Sequence, residues 1–199
     1  EFEGRETGEK GQKIAVGYLK EIYKKLGIKA AKSDGNYFQN VPLVLVNAPK
    51  VSIKTDENSF SYYNDFISIS DATTDEINTE DIVVVGYGIK DTSYDDYKDL
   101  DVTDKIVVAV AGEPKNEDGT YQISGSEKIS KWSNGRQELS SKRNTAKELG
   151  AKAFFLIHES LFKRYAPYYK AREERGGESN LALDVNKKPM YGFLVSDKM

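Results

Sequence analysis

The sequence predicts an α+β fold with a β-rich body, and three observations carry that prediction. Two short runs rich in β-branched residues, Asp81-Ile-Val-Val-Val-Gly-Tyr-Gly-Ile89 and Lys105-Ile-Val-Val-Ala-Val-Ala-Gly-Glu-Pro114, are bounded by Gly, Asp and Pro in the manner of buried strands. Residues 11–26 repeat apolar pairs (Ile14/Ala15, Tyr18/Leu19, Ile22/Tyr23) every four positions and end at Leu26, which is one stripe on a helix. A helical stretch closing at Leu149 and Gly150 leads straight into Ala153-Phe-Phe-Leu-Ile157. Strand, helix, Gly and strand in that order make a crossover, so the two strands are expected to be parallel neighbours.

The remaining elements follow in chain order. Thr7 is the expected N-cap of the first helix, although Lys10 stands where a capping box calls for Glu or Gln, and Gly27 fits a left-handed C-terminal cap. Ser33-Asp-Gly-Asn36 reads as a turn. Residues 38–46 read as a strand with Pro42 near its start, hence at an edge or a bend. Val51-Ser-Ile-Lys54 and Phe66-Ile-Ser-Ile69 alternate as half-solvated strands do, with a hairpin loop over 55–64 between them. Residues 72–80 form an acidic loop or linker. Residues 115–125 are polar and turn-rich. A second helix is expected over about 127–149, interrupted near Asn134-Gly135, with Leu139, Arg143/Ala146 and Leu149 along a modest stripe. A third covers 160–175 with Leu161, Phe162, Tyr165 and Tyr169 inward, disturbed at Pro167 and ended by Gly176-Gly177. Strands at 181–185 and 190–195 close the chain.

Composition narrows the function. With 199 residues and 38% hydrophobic content the chain is long enough for a real core. A net charge of −3 gives no basic excess for nucleic acid or an anionic membrane. No run nears the roughly 18 apolar residues of a membrane span, and Glu1-Phe-Glu-Gly-Arg5 is no apolar signal region, so a signal peptide is expected to be absent or already removed. Without cysteine there are no disulfides, zinc–thiolate sites or cysteine nucleophiles. The single histidine, His158, is too few for a typical zinc shell and, with no second histidine, a weak metal or base candidate; its place just past a strand end fits a surface or helix-capping role better.

Gly86-Tyr-Gly88 follows a strand, as a dinucleotide-binding loop does. The fingerprint needs a third glycine three positions on and then a helix, whereas position 91 is Asp in an acidic loop that repels phosphate. A strand end or bulge is the better reading. Asp91, Asp95, Asp96, Asp99, Asp101 and Asp104 cluster in the next connection. Such carboxylates bind calcium, serve as an acid/base pair or are simply solvated; the EF-hand spacing is absent, and the solvated reading is favoured. Trp132 and Tyr87 are ligand-stacking candidates, against ordinary packing for a lone tryptophan. No nucleophile elbow, P-loop or metalloprotease helix appears.

Glu3-Gly-Arg-Glu-Thr-Gly-Glu-Lys-Gly11 with the helix ending in Lys25-Leu-Gly-Ile28 resembles the opening of secreted aminopeptidases of the co-catalytic zinc exopeptidase family, and Tyr37-Phe-Gln-Asn-Val-Pro-Leu43 is similar to the strand that follows there. Some members of that family insert a protease-associated (PA) domain. Its hallmarks resemble Val83-Val-Val-Gly-Tyr-Gly-Ile89, Tyr94-Asp-Asp-Tyr-Lys-Asp-Leu-Asp-Val102, Asp104 to Pro114, Lys142 to Ile157 and Pro189 to Ser196, so the resemblance runs in order through nearly the whole chain. It implies that residues 1–66 belong to a peptidase domain and residues 67–199 to a PA domain of the swivelling β/β/α type, partly barrel-like, with flanking helices. The family's zinc ligands open with a His-x-Asp strand end after the PA domain; His158 is followed by Glu-Ser and lies within it. No catalytic or metal residue carries over, the catalytic zinc domain is expected to be absent, and the parent's two zinc ions have no ligands in this chain.

The resemblance implies a non-catalytic module of a secreted, periplasmic or cell-surface aminopeptidase that influences substrate access or protein contacts. Tyr87, Glu113 and Trp132 are the substrate-access candidates, and the missing peptidase domain, peptides or proteins are the expected partners. The apolar stripe of the first helix is expected to pack on the body or to mediate self-association. The alternatives are a carboxylate-based hydrolase using Asp95 or Asp96 with Glu113, and a stand-alone PA-type recognition or sorting module.

Overall fold

A computed structural model describes residues 4, 6–46, 50–70, 76–175, 180–183 and 190–199. The chain divides into two compact units, Glu1–Val44 and Leu45–Met199.

In the first unit, α1 (Lys10–Lys25) forms where the four-residue repeat places it. Thr7 is not its cap. The N-cap position is Glu9, without a side-chain bond, and the Gly8 N–H is taken instead by Gln12 Oε1 at 2.7 Å. The chain leaves the helix through Gly27 at φ +69°, and Ile28 N donates to Tyr23 O at 2.9 Å. It then doubles back. Tyr37 donates its hydroxyl to Ile28 O at 2.6 Å, and Lys20 Nζ lies 5.3 Å from the Phe38 ring centre. Of the apolar stripe, Ile14, Tyr18, Leu19, Tyr23 and Leu26 are exposed, and Ala15 and Ile22 are half-buried. β1 (Leu43–Val46) is only the tail of the strand expected over 38–46. It starts after Pro42, which has no N–H to give a ladder.

The second unit runs β2 (Ile53–Lys54), β3 (Ser59–Phe60), β4 (Phe66–Ser68), β5 (Ile82–Val84), β6 (Ile106–Val110), α2 (Gly135–Glu148), β7 (Ala153–Ile157), α3 (Glu159–Glu174), β8 (Asn180–Leu183) and β9 (Tyr191–Val195). Five of these strands make one sheet in the order β4-β9-β7-β6-β5. β4 runs antiparallel to β9, and every other pairing is parallel. The crossover read from the sequence is thus present: β6, α2 and β7 in succession, with Ile106 opposite Ala153 and Val110 opposite Ile157. The overall class is α+β, as expected. The described sheet is open, with β4 and β5 at its edges, and does not close toward a barrel.

Period-two alternation sorts the side chains to two faces. Ile67, Val107, Ala109, Phe154, Leu156 and Leu194 pack with Ala146 of α2 and with Leu161, Phe162 and Ala166 of α3. On the other face Phe66, Phe193 and Val195 meet Ile53 and Phe60 of the β2–β3 hairpin. Two expectations about burial change as a result. β4 is not half-solvated: helices cover Ile67 and the hairpin covers Phe66, so all three of its residues are buried. β5 is not buried: the hairpin covers the opposite end of the sheet, leaving Ile82 at 56% and Val84 at 69% exposure. The hairpin also places β3 inside the segment expected to be loop.

α2 begins at Gly135, not near 127, because Ser130, Trp132 and Ser133 spend their polar groups on tertiary partners described below. α3 runs through Pro167 without interruption. The strand ends at 184–185, the Gly176-Gly177 stop and part of the 72–80 loop lie outside the described residues.

Candidate functional site

Parallel strands release their chains at one edge of the sheet, and in this protein that edge gathers the polar residues. Gly86–Gly88 follow β5, Gly112 and Glu113 follow β6, and His158 follows β7. α2 adds Glu138 and Lys142, one turn apart, both essentially without solvent exposure. The Lys142 ammonium donates to Val110 O at 2.9 Å, to Gly112 O at 2.7 Å and to Glu138 Oε1 at 2.8 Å. An ammonium has three hydrogens, so all are used. Glu138 Oε1 also accepts the Gly112 N–H at 2.6 Å, and its Oε2 lies 3.3 Å from His158 Nε2. His158 caps α3, its Nδ1 accepting the Leu161 N–H at 3.4 Å. With Nδ1 an acceptor, the neutral ring carries its hydrogen on Nε2, facing Glu138.

Burial sets the protonation energetics of this pair. Desolvation pushes the Lys142 ammonium below its ordinary 10.5, against the opposing pull of Glu138. Desolvation works to raise the Glu138 carboxyl, but the His158, Lys142 and Gly112 donors outweigh it and hold the group below its ordinary 4.5. A carboxyl depressed in the folded state stabilises the fold above its unfolded value, and that contribution is lost as pH falls through the lower, folded value. Denaturation at a series of pH values from about 7 to about 3 is therefore expected to show stability declining once pH drops below 4.5, with Glu138→Gln flattening part of that decline.

The three residues singled out from the sequence lie beside this pair and differ in access. Glu113 is buried; it accepts from Ser130 N at 2.8 Å, from Ser130 Oγ at 2.7 Å and from Ser133 Oγ. Trp132 is buried too, and its indole donates to Asp91 Oδ2 at 2.9 Å. That donation is the main reason the Asp91 carboxyl sits below its ordinary value. Tyr87 is half-buried, its ring centre 5.9 Å from Lys142 Nζ and 6.5 Å from the Tyr94 ring. Of the three, only Tyr87 is not buried.

The acidic connection works as a set of local turns. Asp95 accepts the Tyr97 N–H at 2.8 Å; Asp96 accepts from Ile89 N at 3.0 Å and from the Tyr94 hydroxyl at 2.8 Å. Asp101 accepts the Thr103 N–H and faces Lys105 at 3.7 Å. Asp99 and Asp104 supply positive φ, 61° and 57°, which aspartate tolerates better than most residues. Among the described residues no three acidic or histidine side chains converge as metal ligands do.

Sequence reasoning missed Glu138, Lys142, Ser130 and Ser133. The one available signal was Glu at i and Lys at i+4 on a helix. Surface helices carry that spacing routinely, so it marks a buried pair only once the strand ends are placed. No protein-family model matches the chain, and a search of curated proteins finds no match.

Proposed function

We propose that this chain is a non-catalytic binding module: a PA-type domain with the N-terminal segment of a zinc aminopeptidase, working outside the cytoplasm and shaping which peptides or proteins reach the parent's active site. The observation that carries this reading is the state of the polar cluster at the carboxyl edge of the parallel strands. That edge is where open α/β sheets hold their working groups. Here Lys142 spends its hydrogens on two carbonyls and a carboxylate, Glu113 is taken up by two serines, and His158 is fixed between Glu138 and the start of α3. A cluster so committed fastens α2 to the strand ends, and that structural employment is what supports the non-catalytic reading. The two zinc ions of such a parent would be held by its peptidase domain, and no residue of this chain is assigned to them.

The hydrolase alternative needs Asp95 or Asp96 to act with Glu113, and all three carboxylates are taken up by local donors. Two measurements test the proposal. The purified chain, assayed on aminoacyl substrates with and without zinc, is expected to show no turnover and no stoichiometric metal; either result in the positive overturns the reading. In the intact peptidase, Tyr87→Ala is expected to change kcat/KM in a way that depends on peptide length. Unchanged values at every length would remove Tyr87 from the access surface.

A further inference from the structure

β5 is an edge strand of the described sheet, paired there on one side only. Its register pairs Ile82, Val83 and Val84 with Ile106, Val107 and Val108. Ile106 N donates to Asp81 O at 3.0 Å and Val85 N donates to Val108 O at 3.0 Å. Residues 81, 83 and 85 therefore face β6, and the alternate residues 82 and 84 aim their backbone groups away from the sheet. Ile82 N is taken by Glu80 O at 3.0 Å. Among the described residues nothing takes Ile82 O, Val84 N–H or Val84 O. The side chains of Ile82 and Val84 share one face with exposed Val110, beyond the reach of the β2–β3 hairpin. Proteins usually blunt such an edge with lysine, proline or a covering segment. Residues 76–89 contain neither lysine, arginine nor proline.

We propose that β5 receives an extended peptide segment of a partner protein by strand addition. The unpaired N–H and C=O groups call for an extended backbone, and the exposed Ile82 and Val84 call for β-branched side chains at alternate positions of the guest. Charge selects among guests. Exposed Glu80, Asp81 and Asp104 gather at the amino end of β5 and β6, and Lys105 beside them already faces Asp101. The guest therefore carries Lys or Arg at the end that passes Glu80 and Asp81. A second copy of this chain offers no lysine or arginine along residues 76–89 to meet that flank.

The proposal deepens the binding-module reading and rests on it. The test uses the full chain and a fluorescent seven-residue peptide alternating valine and threonine between terminal lysines, followed by anisotropy. The expected result is saturable binding, weakened by about tenfold or more when glutamates replace the lysines. Val84→Pro removes the outward donor from an edge position that tolerates proline, so circular dichroism is expected to stay native while binding falls by about tenfold or more. Binding that ignores either change, or no binding of the lysine peptide, overturns the proposal. So does light scattering that shows a dimer which Val84→Pro dissolves, since the guest would then be a second copy. Turnover of an aminoacyl substrate would remove the non-catalytic reading while leaving a measured strand addition in place, so the two failures are distinct.

Discussion

Lys142→Met is expected to destabilise the protein by about 3–5 kcal/mol, the range for removing one partner of a buried ion pair. The pair lies under the strand ends, with Lys142 at 0% and Glu138 at 1% exposure. Methionine fills much the same space but donates nothing. Glu138 would keep a buried charge without its cation, and the carbonyls of Val110 and Gly112 would lose their donor. Urea unfolding followed by the fluorescence of Trp132, the chain's single tryptophan and a buried one, reads the loss directly. Glu138→Gln keeps the shape and removes the charge, leaving the ammonium to be satisfied by carbonyls alone. In the double variant neither charge remains, so its loss is expected to fall short of the sum of the single losses by about 0.5–3 kcal/mol. A loss below about 1 kcal/mol for Lys142→Met, the size expected of a solvated pair, would mean that the cluster does not hold α2 to the sheet.

The limits of the sequence show clearly at this pair. Local patterns announce local structure: Ala153-Phe-Phe-Leu-Ile157 is a strand over those five residues, Gly150 closes the helix before it, and the parallel pairing with β6 follows from the crossover. Burial is a different matter, because it depends on which layer lies over which strand. Val83-Val-Val85 has the composition of a central strand and stands at an edge, while Phe66-Ile-Ser68 has the alternation of a half-exposed strand and is covered on both faces. The site divides in the same way. His158 as a helix cap and Trp132 as a packed side chain were legible from position and from the absence of partners. Glu138 and Lys142 were not, since their meaning comes from Gly112, 26 residues from Glu138 in the chain. Ser130 and Ser133 were likewise invisible, because a helix pattern that fails to form leaves no trace of the carboxylate its serines serve.

The second large effect belongs to Gly88, where alanine is expected to cost about 2–5 kcal/mol. Two terms add. Gly88 sits at φ +70°, and a left-handed conformation costs a residue with a Cβ about 1–2 kcal/mol. The new Cβ would stand 2.8 Å from Ala109 Cβ, a fully buried atom fixed to the backbone of β6, with Tyr97 Oη at 3.5 Å and a Phe154 ring carbon at 3.8 Å behind it. Overpacking of this kind adds about 1–3 kcal/mol, because the neighbour cannot swing aside. Gly86 provides the internal comparison. Its φ is +60°, so the conformational term is similar, but its Cβ would meet Asp96 Oδ1 at 2.9 Å, the end of a side chain, at an exposed position. Gly86→Ala is therefore expected to cost about 1–2 kcal/mol, mostly the left-handed conformation. Urea unfolding of the two variants gives the order. Gly88→Ala as the more damaging change means that the second glycine of Gly86-Tyr-Gly88 is demanded by the close approach of β6, a packing requirement met inside the sheet and independent of any ligand. Equal or reversed losses would locate the constraint at the exposed turn, beside Tyr87, and would make the loop itself the feature to pursue.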